Sequence, residues 1–210
     1  MIESLSVPGP DELLAIMVAA SFAAGLNVYA TVATLGLLAR AGWFVLPPEL
    51  AFLESYWVIG GGAVMFAIEF VADKVPVLDL IWNLGQTFVR IPVAALLAWS
   101  AATPLSPGAQ IVAAVAGGVI ALAAHGGKLA VRGAVTASPE PFSNILLSLA
   151  EDVFAIGLTW FATSHPYLAA GIAIVLFAAA AAAIWAMWTL VGRSFRRLRG
   201  WWISGRSPVT

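Results

Sequence analysis

The chain has 210 residues, of which 61% are hydrophobic and only 10% charged, against about 25% charged in soluble domains. That composition excludes an ordinary water-soluble core and points to an all-α polytopic membrane protein. The absence of cysteine excludes disulfides, thiolate metal sites and Cys nucleophiles. An outer-membrane barrel is excluded too. It would alternate apolar and polar residues, whereas these runs are continuous and rich in Ala and Leu. The net charge of −1 hides an uneven spread. Glu3, Asp11 and Glu12 open the chain with no Lys or Arg beside them, and Arg193, Arg196, Arg197, Arg199 and Arg206 crowd its end. The opening lacks the basic region of a signal peptide, so the first apolar segment is expected to be retained.

A spanning helix needs about 20 apolar residues. Glu12 and Arg40 enclose 27 uncharged residues (13 to 39), enough for one span with excess, and Gly25-Leu26-Asn27 stands where it would break the helix. Residues 41–54 contain Pro47-Pro48 and read as a loop. Segment two covers residues 56–75, with Tyr56-Trp57 as an interfacial anchor and Gly60-Gly61-Gly62 permitting close helix approach. Segment three covers residues 80–102 and contains Arg90 and Pro92. Segment four covers residues 109–135, interrupted by His125-Gly126-Gly127. Segment five covers residues 142–164 and carries Glu151-Asp152. Segment six covers residues 167–191 and runs into the basic tail.

Six crossings place both termini on one side, and the basic tail places that side in the cytoplasm of a cell (inner) membrane. Lys74 and Arg132 then flank cytoplasmic loops, while Arg40 flanks an outer one. Trp201-Trp202 beside the arginines suggests a tail resting on the anionic leaflet; the plain alternative is a stop-transfer flank. The chain reads as one membrane domain with halves at residues 12–102 and 109–192 and a tail at 193–210. Arg40 and Pro47 match Arg132 and Pro139 at an offset of 92, and Ala72, Pro76 and Leu78 match Ala162, Pro166 and Leu168 at an offset of 90. Three spans per half would make these inverted repeats, each opening with an interrupted helix; the alternative is coincidence in an Ala-rich chain.

Ionisable groups at membrane depth cost at least ~2.5–3.5 kcal/mol each, so they must pair, line water or act. Glu69 and Asp73 share a face of segment two, and His125, Lys128 and Arg132 form one stripe on segment four. Glu151 and Asp152 point about 100° apart. Arg90 stands alone, and Lys74, Asp79 and Arg132 are expected nearer the interface. The functional reading is a water-accessible polar centre where these stripes meet, with backbone freed at the helix breaks. Lys128 and Arg132 would suit an anionic group, and Glu69 or Glu151 would carry a proton. The alternative is internal salt bridging of Glu69 or Asp73 with Lys128 and of Glu151 with Arg90. No metal site is expected, because His125 has no local carboxylate at the right spacing. Ser143 or Ser148 beside His125 would be needed for a hydrolase, but no Gly-x-Ser-x-Gly elbow is present.

At these residues the chain resembles a known family. Gly25-Leu26-Asn27-Val28-Tyr29, then Glu69-x-x-x-Asp73-Lys74-x-Pro76-x-x-Asp79-x-x-Trp82-Asn83, resembles the bacterial integral membrane proteins of the domain of unknown function (DUF) 4126. Pro139-Glu140-Pro141-x-Ser143-Asn144 and Ser148-x-x-Glu151-Asp152 are similar to its second half. The resemblance implies no established substrate. It adds Asn27 and Tyr29 to the residues of interest. The resulting expectation is a proton-coupled secondary transporter or lipid-headgroup translocator for a small anionic substrate, with no cofactor. Its partners would be membrane lipids, the small-molecule or ion substrate and a second copy in a homo-oligomer, with no nucleic acid. The alternatives are a scaffold with paired charges or an intramembrane enzyme.

Overall fold

The computed structural model describes residues 8–136 and 141–204. The Pro139-Glu140 turn and the chain from residue 205 lie outside the described residues, as do the side chains of Ser143, Asn144, Arg197, Arg199, Trp201 and Trp202. Seven α-helices follow one another: α1 (Pro10–Leu26), α2 (Val28–Arg40), α3 (Tyr56–Ala72), α4 (Pro76–Ala101), α5 (Pro107–Thr136), α6 (Pro141–Ser164) and α7 (Pro166–Ser204). Five of them begin on proline, whose fixed φ suits a first turn and whose missing N–H would go unpaired there anyway. The stretch expected as a loop between α2 and α3 holds a 3-10 helix, Pro48–Glu54, whose Leu50 and Leu53 are buried.

Four stretches are long and apolar enough to cross a membrane: Ile81–Ala101, Pro107–Gly133, Ile145–Ser164 and Pro166–Arg193. The 3-10 helix and α3, bent by 62° to each other, pass the same test when taken together, as a broken span or a re-entrant pair. Large apolar side chains cover the outside of these helices, among them Phe88 (82% exposed) and Trp185 (71%). Apolar exposure on that scale marks contact with lipid. The chain is an all-helical integral membrane protein.

Residues 13–39, expected as one interrupted span, form two helices that meet at Asn27. Helix α1 ends at Asn27, whose backbone is extended (φ −151°, ψ 102°). Its two arms of 17 and 13 residues reach ~25 and ~20 Å, short of the ~30 Å hydrocarbon core. On one straight rod Met17 and Leu35 would stand ~27 Å apart. Instead they line the same small void, together with Leu13, Phe44, Pro47 and Ala101. Helix α2 therefore folds back beside α1, and the pair enters and leaves at one end of the bundle. Tyr167, at the start of α7, hydrogen-bonds Asp11 at that same end.

Helix α1 is apolar or small on every face, the pattern of a helix enclosed by others. It packs against α4, α5, α6 and α7, with Ala19, Ala23 and Ala24 fully buried. A Cβ on Gly25 would stand 2.5 Å from the Ala121 carbonyl oxygen, so only glycine allows this approach. Helix α5 is continuous through His125-Gly126-Gly127, which corrects the expected second interruption. Those glycines serve packing: Cβ atoms there would fall 2.9 Å from Ile184 Cδ1 and 2.7 Å from Ala180 Cβ of α7. The halves thus differ in their first element, a folded-back pair in one and a crossing helix in the other. Helix α7 also continues past the expected end of segment six, for 39 residues in all.

Candidate functional site

The break at Asn27 is held from three directions. Its side-chain oxygen caps α2 by accepting from Ala30 N (3.0 Å), and its amide Nδ2 donates to Asp152 Oδ1 of α6 (2.9 Å). The last carbonyls of α1, which lack helical partners, accept from cations. Arg90 Nη1 donates to Gly25 O (3.1 Å), and Lys128 Nζ to Leu26 O (3.4 Å). The broken helix thus turns its negative dipole end toward Arg90 of α4 and Lys128 of α5.

Around this break the two charged stripes meet. Arg90 pairs with Glu69 through Nη2. Lys128 Nζ lies 3.3 Å from Asp73 Oδ2, 3.3 Å from Glu151 Oε2 and 3.8 Å from Glu69 Oε1. Arg132 spreads its guanidinium over three carboxylates: Asp73 Oδ2 at 2.8 Å, Asp79 Oδ1 at 2.5 Å and Glu151 Oε2 at 2.7 Å. Ser148 Oγ donates to Asp73 Oδ2 (3.4 Å) and Asn83 Nδ2 to Asp79 Oδ1 (2.6 Å). None of these paired charged side chains is more than 11% exposed. Glu69 Oε2 and Asp152 Oδ2 are buried without a hydrogen-bond partner among the described residues.

His125 sits on the far side of Arg90. Its Nδ1 is 2.9 Å from Arg90 Nη1. A guanidinium can only donate, so Nδ1 accepts and the ring proton is on Nε2. That nitrogen faces Thr87 Oγ1 (2.9 Å) and the Asn83 carbonyl (3.1 Å). The ring is therefore a neutral strut between α5 and α4.

The structure brings together ten of the twelve singled-out residues: Asn27, Glu69, Asp73, Asp79, Arg90, His125, Lys128, Arg132, Glu151 and Asp152. Asp79 and Arg132, expected nearer the interface, are buried within the cluster. Lys74 stays at the rim, its ammonium 3.0 Å from the Phe70 ring centroid and bonded to Phe70 O (2.7 Å). Burial lowers its pKa from the ordinary lysine value. Tyr29 stands apart, accepting from Gln86 Nε2 (3.1 Å) at the edge of an apolar groove of about 440 Å³ between α2, α3 and α4. The expected pairing of Lys128 with Glu69 and Asp73 is present. The expected pairing of Glu151 with Arg90 is not, because Arg90 lies at the α1 break with Glu69 and Glu151 faces Lys128 and Arg132. Ser148 serves Asp73 and not His125, which leaves no Ser–His pair there.

Sequence reasoning named Asn83 and Ser148 only within motifs and missed Gln86 and Thr87. The signal was present: Asp79, Asn83, Gln86, Thr87 and Arg90 recur at helical spacing and form one polar face of α4. Chemically, the cluster gathers five carboxylates around three cations and a neutral imidazole. It can hold or pass protons and can bind a further positive group.

No curated protein and no solved structure matches the chain. A family model does match, over residues 14–186, and that stretch contains every member of the cluster. The chain belongs to the family described as the domain of unknown function DUF4126.

Proposed function

We propose that this protein is a proton-coupled secondary transporter whose carrier is the buried carboxylate cluster. One observation carries the reading. Glu69, Asp73, Asp79, Glu151 and Asp152 outnumber Arg90, Lys128 and Arg132, leaving two negative charges in excess if all are ionised. Lys74 at the rim offsets at most one. A low-dielectric interior resists uncompensated charge, and taking up a proton relieves it. The same excess favours protons or a cation over the anionic substrate expected from Lys128 and Arg132, whose donors already serve carboxylates. Glu69 is the favoured carrier: like Asp152 it has a carboxylate oxygen with no hydrogen-bond partner among the described residues, and it is the more deeply buried of the two. The match of Ala72, Pro76 and Leu78 with Ala162, Pro166 and Leu168 keeps the inverted-repeat relation a part of this proposal, confined to α3–α4 and α6–α7.

We place the end bearing Lys74, Arg132, Arg193 and Arg196 in the cytoplasm, by the positive-inside tendency. The start of α1, with Asp11 and Glu12, then faces outward. A scaffold is the second reading, favoured by the mutual pairing and deep burial of the cluster.

Infrared difference spectra of purified protein in nanodiscs test the proposal. Titration across neutral pH should reveal a protonated carboxyl band that Glu69→Gln diminishes. Five carboxylates ionised throughout that range would leave the scaffold.

A further inference from the structure

Helix α7 carries six consecutive alanines, Ala178 to Ala183. Where they face α5 and α6 they leave a depression, because no long side chain fills the space. The result is a cavity of about 290 Å³, at the lower edge of the ~300–1,000 Å³ typical of ligand sites, bounded by α1, α5, α6 and α7. Val131 and Phe154, which line it, are 41% and 38% exposed on the outer surface of the helices. Leu26 and Phe22 of α1 line it. The cavity also reaches Lys128 and Glu151. An apolar chamber open to lipid thus ends on the charged cluster.

We infer that this chamber is the entry and binding site for a single-chain lipophilic cation, whose apolar tail fills the space beside Ala180 and Ala183 and whose positive head reaches the Glu151 carboxylate. The inference deepens the transport reading and rests on it for what happens after binding. Three features select the cation. The cluster has more carboxylates than cations, so a positive head compensates it and an anion worsens it. Glu151 is the more exposed of the two charged walls, at 9% of its side chain against 0% for Lys128. Lys128 is already engaged by Asp73, Glu69, Glu151 and the Leu26 carbonyl, which leaves an anionic head no free ammonium. Glu151 meets Lys128 and Arg132 from α5, with Asp152 beside it on α6 and Asp73 and Asp79 beyond Arg132. The volume admits one short alkyl chain and not the paired chains of a bilayer phospholipid.

The test compares three probes of equal chain length: decyltrimethylammonium, decyl sulfate and decanol. Each is titrated into the full-length protein in phosphatidylcholine nanodiscs, with empty nanodiscs as the partition control. The ammonium should bind at least tenfold more tightly than the other two. Ala183→Leu, which fills the chamber and touches no charge, should weaken it about tenfold, and Glu151→Gln should weaken it with unchanged decanol binding. Equal uptake of all three probes, or a preference for the sulfate, would overturn the inference. Infrared measurement on the same ligand-free samples separates the two claims. Protonated carboxyls without cation binding would leave the transport reading standing and remove this one. Cation binding with every carboxylate ionised would do the reverse.

Discussion

Arg90 donates to Nδ1 of His125 across the α4–α5 interface at 2.9 Å, and that one contact fixes the tautomer of the ring. Nitrogen NMR of ring-labelled protein should report a neutral Nε2–H imidazole throughout the neutral pH range. His125→Asn keeps a polar group there but not the strut; it should lower stability by about 1–3 kcal/mol, the cost of leaving a buried partner unmade. A charged imidazolium in the spectra would refute the contact, because it would set two donors against each other.

Asn27 performs two tasks that substitution can separate. Asn27→Ala loses the cap of α2, worth ~1 kcal/mol, and leaves Asp152 without its amide, a further ~1–3 kcal/mol. Asn27→Asp keeps a good cap yet opposes two carboxylates at the distance now spanned by a hydrogen bond. Unfolding in detergent should rank wild type above both variants, with Asn27→Asp regaining stability on acidification and Asn27→Ala not.

Arg132 bridges Asp73, Asp79 and Glu151 with one planar fork. Arg132→Met removes one side of a buried ion cluster and should cost ~3–5 kcal/mol. Arg132→Lys keeps the charge but cannot reach three carboxylates from a fixed plane, so its loss should be intermediate. Equal stability of the lysine variant and wild type would show that charge alone matters there.

Two glycines with the same chemistry should answer oppositely, because Gly61→Ala gains ~0.5–1 kcal/mol of helix propensity at no steric cost and should raise the unfolding midpoint. A methyl at Gly25 meets the Ala121 carbonyl and the Ala124 side chain within 2.7 Å, whereas one at Gly61 meets nothing within 4 Å. Gly25→Ala should destabilise by ~1–3 kcal/mol through overpacking.

The folded-back pair is checked by labelling. The chain has no native cysteine, so single cysteines at Gly9, Gly42, Ser106 and Lys74 can be probed with an impermeant maleimide. Gly9, Gly42 and Ser106 should react from one side of the membrane and Lys74 from the other. Reaction of Gly9 together with Lys74 would restore a sixth crossing.

Much of the cluster was legible because its members obey helical spacing. Glu69 with Asp73, and His125 with Lys128 and Arg132, each had to share a face, and lipid forbids leaving a charge outside. The Asn27 break was legible too, since Gly25 and Asn27 are poor helix interiors. Three features escaped. The return of α2 depends on Leu35 and Phe44 meeting α1, a tertiary contact with no local signature. The continuity of α5 depends on Ala180 and Ile184 of α7 occupying the space beside Gly126 and Gly127, so the same dipeptide reads as a break in isolation and as a packing face in context. Arg90 was assigned to Glu151 because pairing by charge alone ignores depth, and its depth is set by the carbonyl of Gly25.

The enclosure of α1 has a consequence for biogenesis. Helix α1 is surrounded by α4, α5, α6 and α7, all of which follow it in the chain and emerge from the ribosome later. Until they arrive, Asn27 has no Asp152 and the open carbonyls of Gly25 and Leu26 have neither Arg90 nor Lys128. The pair is also too short to settle as an independent span. Stable insertion of individual helices before they associate therefore does not suit α1 and α2, whose native contacts are complete only once α4 to α7 have been made.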